Sequence, residues 1–307
     1  MTNIKHAITR NGSVIYEPTT PMTIRLTREE TMKYLGAEPI RWEDRDDHCE
    51  IAHVEITSDC NRTCPYCYNP KNKKELHFDE MVTVIKNLAA AGVFQLTFGG
   101  GEPFCRRGIF RLAAVVKETG MNLCTTTNGD LLASSIRSRF VGDIGLFGQI
   151  NVSYHGDLLK FLSNLYTIAD ECKERDVKLG INFCCQNIYV QDIDKIAVAA
   201  KATNAELLLL SYKSVTMDIP SYKNLDILCM AIDLANRYKI NTAVDGSCVR
   251  KCFAARRFVD VHPNGDVSLC SFKREPIGNA LREDFRTIWE NRPKEVECPF
   301  FPGLKNH

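Results

Sequence analysis

From about Ile51 to Lys213, short apolar runs alternate with amphipathic stretches. The runs His53–Thr57, Phe94–Phe98, Leu123–Thr127, Gln149–Ser153, Lys178–Phe183 and Glu206–Leu210 read as strands. Between the first two, Met81, Val84, Ile85 and Leu88 fall on one helical face, with Asp79 able to cap its start and Gly92 to end it. A second helix runs from Ile109 through Leu112, Val115 and Val116 to Gly120, and a third carries Leu158, Leu162, Leu165, Ile168 and Ala169. Such alternation implies right-handed βαβ units around a parallel sheet. The predicted fold class is α/β: a partial, TIM-like barrel of six βα units, open rather than closed. Ligand sites in such sheets form at the carboxyl ends of the strands.

Beyond a further helix, about Leu225 to Tyr238, the pattern changes. Phe258–His262 and Asp266–Leu269 flank Pro263-Asn264-Gly265 and read as a β-hairpin, and Arg282 to Asn291 reads as a closing helix. The first fifty residues hold a hairpin around Asn11-Gly12 and a short helix near Arg28–Leu35. The expected organisation is an extension over 1–50, the barrel over 51–230 and a small C-terminal domain over 231–307.

Hydrophobic residues make up 44% and charged residues 25% of the 307, so a packed core is expected. The net charge of +1 comes without an acidic or basic tail, which argues against a nucleic-acid or membrane-surface partner. Apolar runs such as Leu207 to Leu210 are too short to span a bilayer. Met1 to Gly12 lacks the apolar core of a signal peptide, so a cytoplasmic protein is expected. Against that background the fourteen cysteines change the picture. Disulfide frameworks belong to small secreted chains. Here reduced thiolates serving iron or zinc, with some buried cysteines among them, fit better.

The segment Thr57-Ser-Asp-Cys60-Asn-Arg-Thr-Cys64-Pro-Tyr-Cys67 gives C-x3-C-x2-C directly after a predicted strand. Three thiolates this close can ligate three irons of a cubane cluster and leave the fourth iron open. Structural zinc, completed by His48 or His53, is the alternative, since such a site needs four ligands.

With Tyr66 as the aromatic residue, C-x3-C-x-aromatic-C resembles the signature of the radical S-adenosylmethionine (SAM) superfamily. The resemblance implies a [4Fe-4S] cluster on Cys60, Cys64 and Cys67 whose open iron binds the amino and carboxylate groups of SAM. It further implies reductive cleavage of SAM to a 5′-deoxyadenosyl radical, which abstracts a hydrogen from a substrate, and places Tyr66 near the adenine. Gly100-Gly101-Glu102 ends the second strand and resembles the family's GGE motif. Glycines allow close backbone approach to a ligand, and a carboxylate there can accept from an ammonium group. The implied role is to bind the amino group of SAM; a plain turn is the alternative. Asn128, in Thr127-Asn128-Gly129, and Ser153, at the end of the fourth strand, match further family positions toward SAM, with Ser153 equally readable as a strand-end cap. Asn187 follows the fifth strand, where the family has an asparagine near SAM. Two residues after Ser153 the family has aspartate, and this chain has His155.

Cys248, Cys252, Cys270 and Cys298 form a second set, in which Gly265 allows a hairpin to bring Cys270 back toward Cys252. C-x12-G-x4-C, followed by Ile277-Gly-Asn-Ala and Ile288-Trp289-Glu, resembles the SPASM or twitch auxiliary-cluster domains. One auxiliary [4Fe-4S] cluster is implied, with zinc on the same cysteines as the alternative. Cys184 and Cys185 end the fifth strand, where alternation turns one of them toward the lumen. Some family members use such a cysteine to return a hydrogen atom; a buried, inert cysteine is the plainer reading. The resemblance implies a ribosomally made peptide as substrate and an electron donor such as flavodoxin or ferredoxin. Residues 1–50 are too few for the recognition domain that precedes many peptide-modifying relatives. A radical dehydrogenase acting on a small sugar-like alcohol and a non-enzymatic iron–sulfur carrier are the alternatives. A carrier has no use for Gly100-Gly101-Glu102.

Overall fold

The computed structural model describes residues 5–9, 12–17, 22–27, 29–30, 33, 49–71, 74–186, 188–213, 224–245 and 252–298, with backbone alone over 5–27. Strands β1 (Lys5–Thr9), β2 (Gly12–Glu17) and β3 (Met22–Thr27) form an antiparallel sheet in that order. Thr9 stands opposite Gly12, so the hairpin turn falls where the Asn-Gly signal puts it. The third strand carries no such signal and is an addition. Of the expected short helix, Glu29, Glu30 and Lys33 are helical.

Seven parallel strands follow: β4 (Ile51–Thr57), β5 (Gln95–Gly100), β6 (Asn122–Thr127), β7 (Gln149–Ser153), β8 (Lys178–Cys185), β9 (Glu206–Ser211) and the short β10 (Thr242–Val244). β11 (Phe258–Val261), β12 (Asp266–Ser268) and β13 (Gly278–Asn279) complete one sheet in the order β10-β9-β8-β7-β6-β5-β4-β11-β12-β13. This is the expected open, partial barrel. The C-terminal hairpin is continuous with it, because β11 pairs in parallel with β4. β10 was not foreseen; three residues are too few for a period to register.

Seven helices follow residue 77 among the described residues: α1 (Phe78–Ala90), α2 (Ile109–Glu118), α3 (Asp130–Arg137), α4 (Leu158–Glu174), α5 (Ile193–Thr203), α6 (Asn224–Tyr238) and α7 (Phe285–Asn291). Met81, Val84, Ile85 and Leu88 of α1 are fully buried against the sheet, as their spacing predicts. The cap of α1 is His77 rather than Asp79: the His77 backbone N–H donates to Glu80 Oε2 at 2.7 Å. Asp79 lies one turn-position inside, where a carboxylate complements the helix dipole. α3 and α5 were not foreseen. α3 buries only Leu132 and Ala133, and α5 buries small alanines beside two isoleucines, so neither writes a strong apolar stripe.

Phe285, Ile288 and Trp289 of α7 belong to the same hydrophobic core as the barrel strands. Asn87 of α1 fastens this junction. Its Nδ2 donates to the carbonyls of Ala280 (2.8 Å) and Glu283 (2.7 Å), and its Oδ1 accepts from the Phe285 N–H (3.0 Å), an otherwise orphan donor at the start of α7. Asn87→Ala leaves these groups unpaired and should lower stability by about 1–3 kcal/mol in urea unfolding. An unchanged unfolding midpoint would show that the α1–α7 junction is held by apolar packing alone.

Candidate functional site

β4 delivers the first cysteine loop, and its end is clamped from three sides. Glu75 Oε1 accepts from Thr57 Oγ1 (2.9 Å), the Ser58 N–H (2.6 Å) and Ser58 Oγ (2.9 Å), while Arg106 Nη1 sits 3.1 Å from Oε2. Burial opposes its ionisation, yet the bonds from Ser58 and Thr57 and the charge of Arg106 hold the Glu75 carboxyl below its usual range. From the second side, the Gly101 N–H donates to Thr57 O and the Glu102 N–H to Asp59 O, both at 2.8 Å. A Cβ on Gly100, whose φ is +110°, would lie 2.3 Å from Thr57 O, and one on Gly101 would lie 2.0 Å from Asp59 O. The close approach that these glycines permit is therefore to the backbone entering the cysteine loop. From the third side, Arg62 forks Asp130 at the start of α3, with Nε–Oδ2 2.8 Å and Nη2–Oδ1 2.7 Å, and Asn128 Nδ2 donates to Asn61 Oδ1 at 2.8 Å.

Within the loop, the Cys67 N–H closes a turn on Cys64 O at 3.1 Å and the Arg62 N–H points at Cys60 Sγ at 3.4 Å. Cys60 and Cys64 line a cavity of about 370 Å³ with Tyr66, His155 and Tyr189, and Cys67 is exposed beside them. Burial raises the Cys60 thiol, with the charges of Glu102 and Cys67 adding to it. Burial likewise raises Cys64, as do Cys67 and Cys60, against the pull of Arg62. Three thiolates that repel one another in this way need a bound cation to be stable together, and this donor set fits an iron–sulfur cluster. His53, weighed as a zinc ligand, does not line the cavity. It sits earlier on β4, with Nδ1 3.1 Å from Asp260 Oδ1 and its ring against Gly99. His48 lies outside the described residues.

Glu102 is 1% exposed. Oε1 accepts from Thr127 Oγ1 (2.6 Å) and the Phe104 N–H (3.2 Å), and Oε2 accepts from the Asn128 N–H (2.8 Å). Burial raises its pKa, opposed by these bonds from Thr127, Asn128 and Phe104. The carboxylate thus ties the end of β5 to the end of β6, directly behind the cysteine loop. Ser153 stands half-buried at the end of β7, level with Asn182 of β8.

Tyr66 Oη and His155 Nδ1 are 2.6 Å apart, the rings lie nearly parallel at 6.1 Å between centroids, and Cys64 Sγ is 3.7 Å from the same nitrogen. Burial, reinforced by Arg62, pushes His155 down to about 4, so the imidazole is neutral at neutral pH. His155 is a site residue that sequence reasoning passed over because it departs from the family's aspartate. Its place two residues after a strand end was the available signal.

The Cys184–Cys185 pair divides as strand alternation requires. Cys185 is fully buried in the core, whereas Cys184 is half-buried on the other face. Burial raises the Cys184 thiol to about 11, with the Lys213 ammonium and the Asp245 carboxylate close by. Asn187 and Cys248 lie outside the described residues. Cys252, Cys270 and Cys298 come together around the hairpin. Burial raises Cys252, followed among the charges by Cys270 and Cys298, and Cys298 also raises Cys270. Gly265 makes the turn at φ +86°. Cys49, Cys124 and Cys172 are buried in the fold, and all thirteen cysteines among the described residues are free thiols.

Glu102→Ala should strand the donors of Thr127 and Asn128 and cost about 1–3 kcal/mol in urea unfolding, with Glu102→Gln losing less. Equal stability of Glu102→Ala and the parent protein would mean that the carboxylate is free for a ligand rather than committed to the loop.

Comparison with known proteins agrees with this arrangement. A family model for the radical SAM superfamily matches residues 54–141, and one for an iron–sulfur cluster-binding domain, SPASM, matches residues 252–301. The PqqA peptide cyclase of Rhodopseudomonas palustris is 27% identical over 251 residues, covering 71% of this chain and 66% of that protein. A GTP 3′,8-cyclase of Clostridium perfringens is 26% identical over 182 residues, covering 54% and 52%. The crystal structure of Streptococcus suis SuiB bound to precursor peptide SuiA superposes with a TM-score of 0.74 at 14% identity, covering 95% of this chain and 88% of SuiB, a likeness of fold. A barrel whose first parallel strand leads into a loop of three cysteines, with a hairpin at its sheet edge leading to Cys270, and two family models falling on those same two regions lead to one conclusion: this chain carries a radical SAM superfamily domain and a SPASM iron–sulfur cluster-binding domain.

Proposed function

We propose that the chain modifies a ribosomally made peptide by SAM-dependent radical chemistry. In this reading Cys60, Cys64 and Cys67 hold a [4Fe-4S] cluster, and Cys248, Cys252, Cys270 and Cys298 hold one auxiliary [4Fe-4S] cluster in a unit from about residue 231 onward. The observation that carries it is the cavity lined by Cys60 and Cys64, with Tyr66 and His155 in its wall and the exposed Cys67 closing a turn on Cys64 beside it. When bound, the cluster would supply the electron for reductive cleavage of SAM and so the radical chemistry by which a hydrogen atom would leave the substrate. The protein's own residues do the rest. Glu75, Arg62 and the glycine contacts fix the loop. His155 holds Tyr66 by its hydroxyl, which orients the ring for an adenine. Gly100, Gly101, Glu102, Asn128 and Ser153 frame the strand ends where SAM would lie.

A peptide substrate is favoured by the extent of the alignments: the peptide cyclase aligns over 251 residues, the GTP cyclase over only 182. The relatives are named cyclases, so a bond-forming outcome stands beside an oxidised and a redox-neutral one. A flavodoxin or ferredoxin is the proposed electron donor, in a reducing cytoplasmic setting. Among the described residues no helix is long and apolar enough to cross a membrane.

Replacing Cys60, Cys64 and Cys67 together with alanine should remove roughly half the iron of anaerobically reconstituted protein, by cubane stoichiometry, and abolish deoxyadenosine formation. SAM cleavage by the triple variant would overturn the assignment.

Of the pair, Cys184, half-buried and near Tyr66 and Tyr189, is the proposed hydrogen donor if the product is redox-neutral, in preference to the fully buried Cys185. In deuterated water the product should then carry deuterium. Cys184→Ala should abolish the label while Cys185→Ala keeps it. A redox-neutral product without deuterium would rule out Cys184.

A further inference from the structure

Between the two cysteine sites lies a buried polar cluster that the reading above does not use. Glu55 of β4 and Asp260 of β11 are 0% exposed and His262 is 3% exposed. Arg274 forks Glu55 with both terminal nitrogens, each at 2.7 Å, and its Nη2 lies 2.8 Å from His262 Nδ1. Burial alone would raise Glu55, but His262 and Arg274 hold it well below the ordinary carboxylate range. Asp260 Oδ2 and His262 Nε2 are buried and make no hydrogen bond. Glu55, Asp260 and His262 also bring ligand-type atoms within 4.8 Å of one another. A metal ion there would face the Arg274 guanidinium already seated on Glu55, so the cluster is better explained without one.

Its position in the sequence is informative. Glu55 precedes Cys60 by five residues, and Tyr68 directly follows Cys67. Phe272 and Arg274 follow Cys270 by two and four residues. Tyr68 packs on Phe272 with ring centroids 4.4 Å apart. Burial raises the Tyr68 hydroxyl, as do the charges of the Asp260 and Glu55 carboxylates. Two independent contacts therefore join the segment after Cys270 to the segments on either side of the first cysteine loop. A buried ion pair rarely adds net stability over an apolar pair of equal volume. What a bidentate fork adds is a fixed distance and direction.

We propose that Arg274 and Tyr68 are positioning residues: the Glu55–Arg274 fork and the Tyr68–Phe272 ring contact form one joint that fixes the loop bearing Cys270 against the loop bearing Cys60, Cys64 and Cys67, and so sets the separation of the two sites. That each site holds a cluster rests on the proposed function; the joint itself does not.

The test uses anaerobically reconstituted full-length protein with both clusters reduced, read by electron paramagnetic resonance. Arg274→Gln, Arg274→Lys and Phe272→Leu should each retain the parent iron content and shift the magnetic splitting between the two clusters. Lysine keeps the charge but cannot fork, so it should fail to restore the parent splitting. A lowered melting temperature with unchanged splitting in all three variants would overturn the proposal and leave the cluster a plain core element. Hydrogen exchange on the metal-free chain gives a second readout. Arg274→Gln, or Phe272→Leu should the former not fold, should speed exchange in residues 55–68 and 268–274 together. Faster exchange confined to 268–274 would overturn the joint. A parent protein with iron only at the first site would overturn the two-cluster reading, and the exchange result would then decide the joint by itself.

Discussion

The organisation of the site depends on how closely two neighbouring strand ends approach. β4 and β5 run parallel, and at and just beyond their last paired residues, Thr57 and Gly100, the backbone at Gly100 and Gly101 lies against Thr57 and Asp59 with no room for a Cβ. Without that contact the chain leaving β4 would have no wall on its β5 side. With it, the peptide groups of Gly101 and Glu102 hold the loop entrance by two backbone hydrogen bonds. Glu102 is carried round to Thr127 and Asn128, and Asn128 reaches back to Asn61 beside Cys60. A circuit of short contacts over β4, β5 and β6 thus fixes the chain on either side of Cys60. Preformed geometry of this kind is what a cluster site needs if its ligands are not to pay the ordering entropy on binding.

The electrostatics follow the same pattern. Two carboxylates near the first cysteine loop are matched by cations, Asp130 by Arg62 and Lys160 and Glu75 by Arg106, whereas Glu102 is held by neutral donors. The Cys60 and Cys64 thiols are raised chiefly by burial, with neighbouring negative charge adding to it, and a cationic centre would relieve both. His155, kept neutral by burial, adds no charge of its own beside Cys64 and leaves a nitrogen for Tyr66.

Much of this was legible in the sequence because strands and spacing are local properties. All six foreseen strands appear, and the apolar face of α1 is buried at the four positions its period marks. The cysteine spacing likewise carries its own geometry. What was not legible is what depends on distant partners. Glu55 reads as one more residue of a strand until Arg274 is brought beside it from 219 positions away. His155 reads as a departure from a motif until Tyr66 reaches it. Gly100 and Gly101 read as room for a ligand, and only the packed structure shows that Thr57 and Asp59 stand against them. Asp79 was a reasonable cap by residue type, but the cap falls two residues earlier, where the His77 N–H donates to Glu80.

The pairing of β11 with β4 has a consequence for how the chain is made. His53 and Asp260 meet across 207 residues of sequence, and β4 lies inside the sheet with β5 on one side and β11 on the other. A ribosome releases β4 and the first cysteine loop long before it releases their outer neighbour. Until then that flank of β4 is an open strand edge, with unpaired peptide groups available to the wrong partner. Contacts of such high sequence separation also slow folding, since loop closure must precede any gain from pairing. The nascent barrel therefore passes through a stage in which its first cysteine loop is complete but its sheet is not, and in that stage the open edge of β4 is exposed to mispairing.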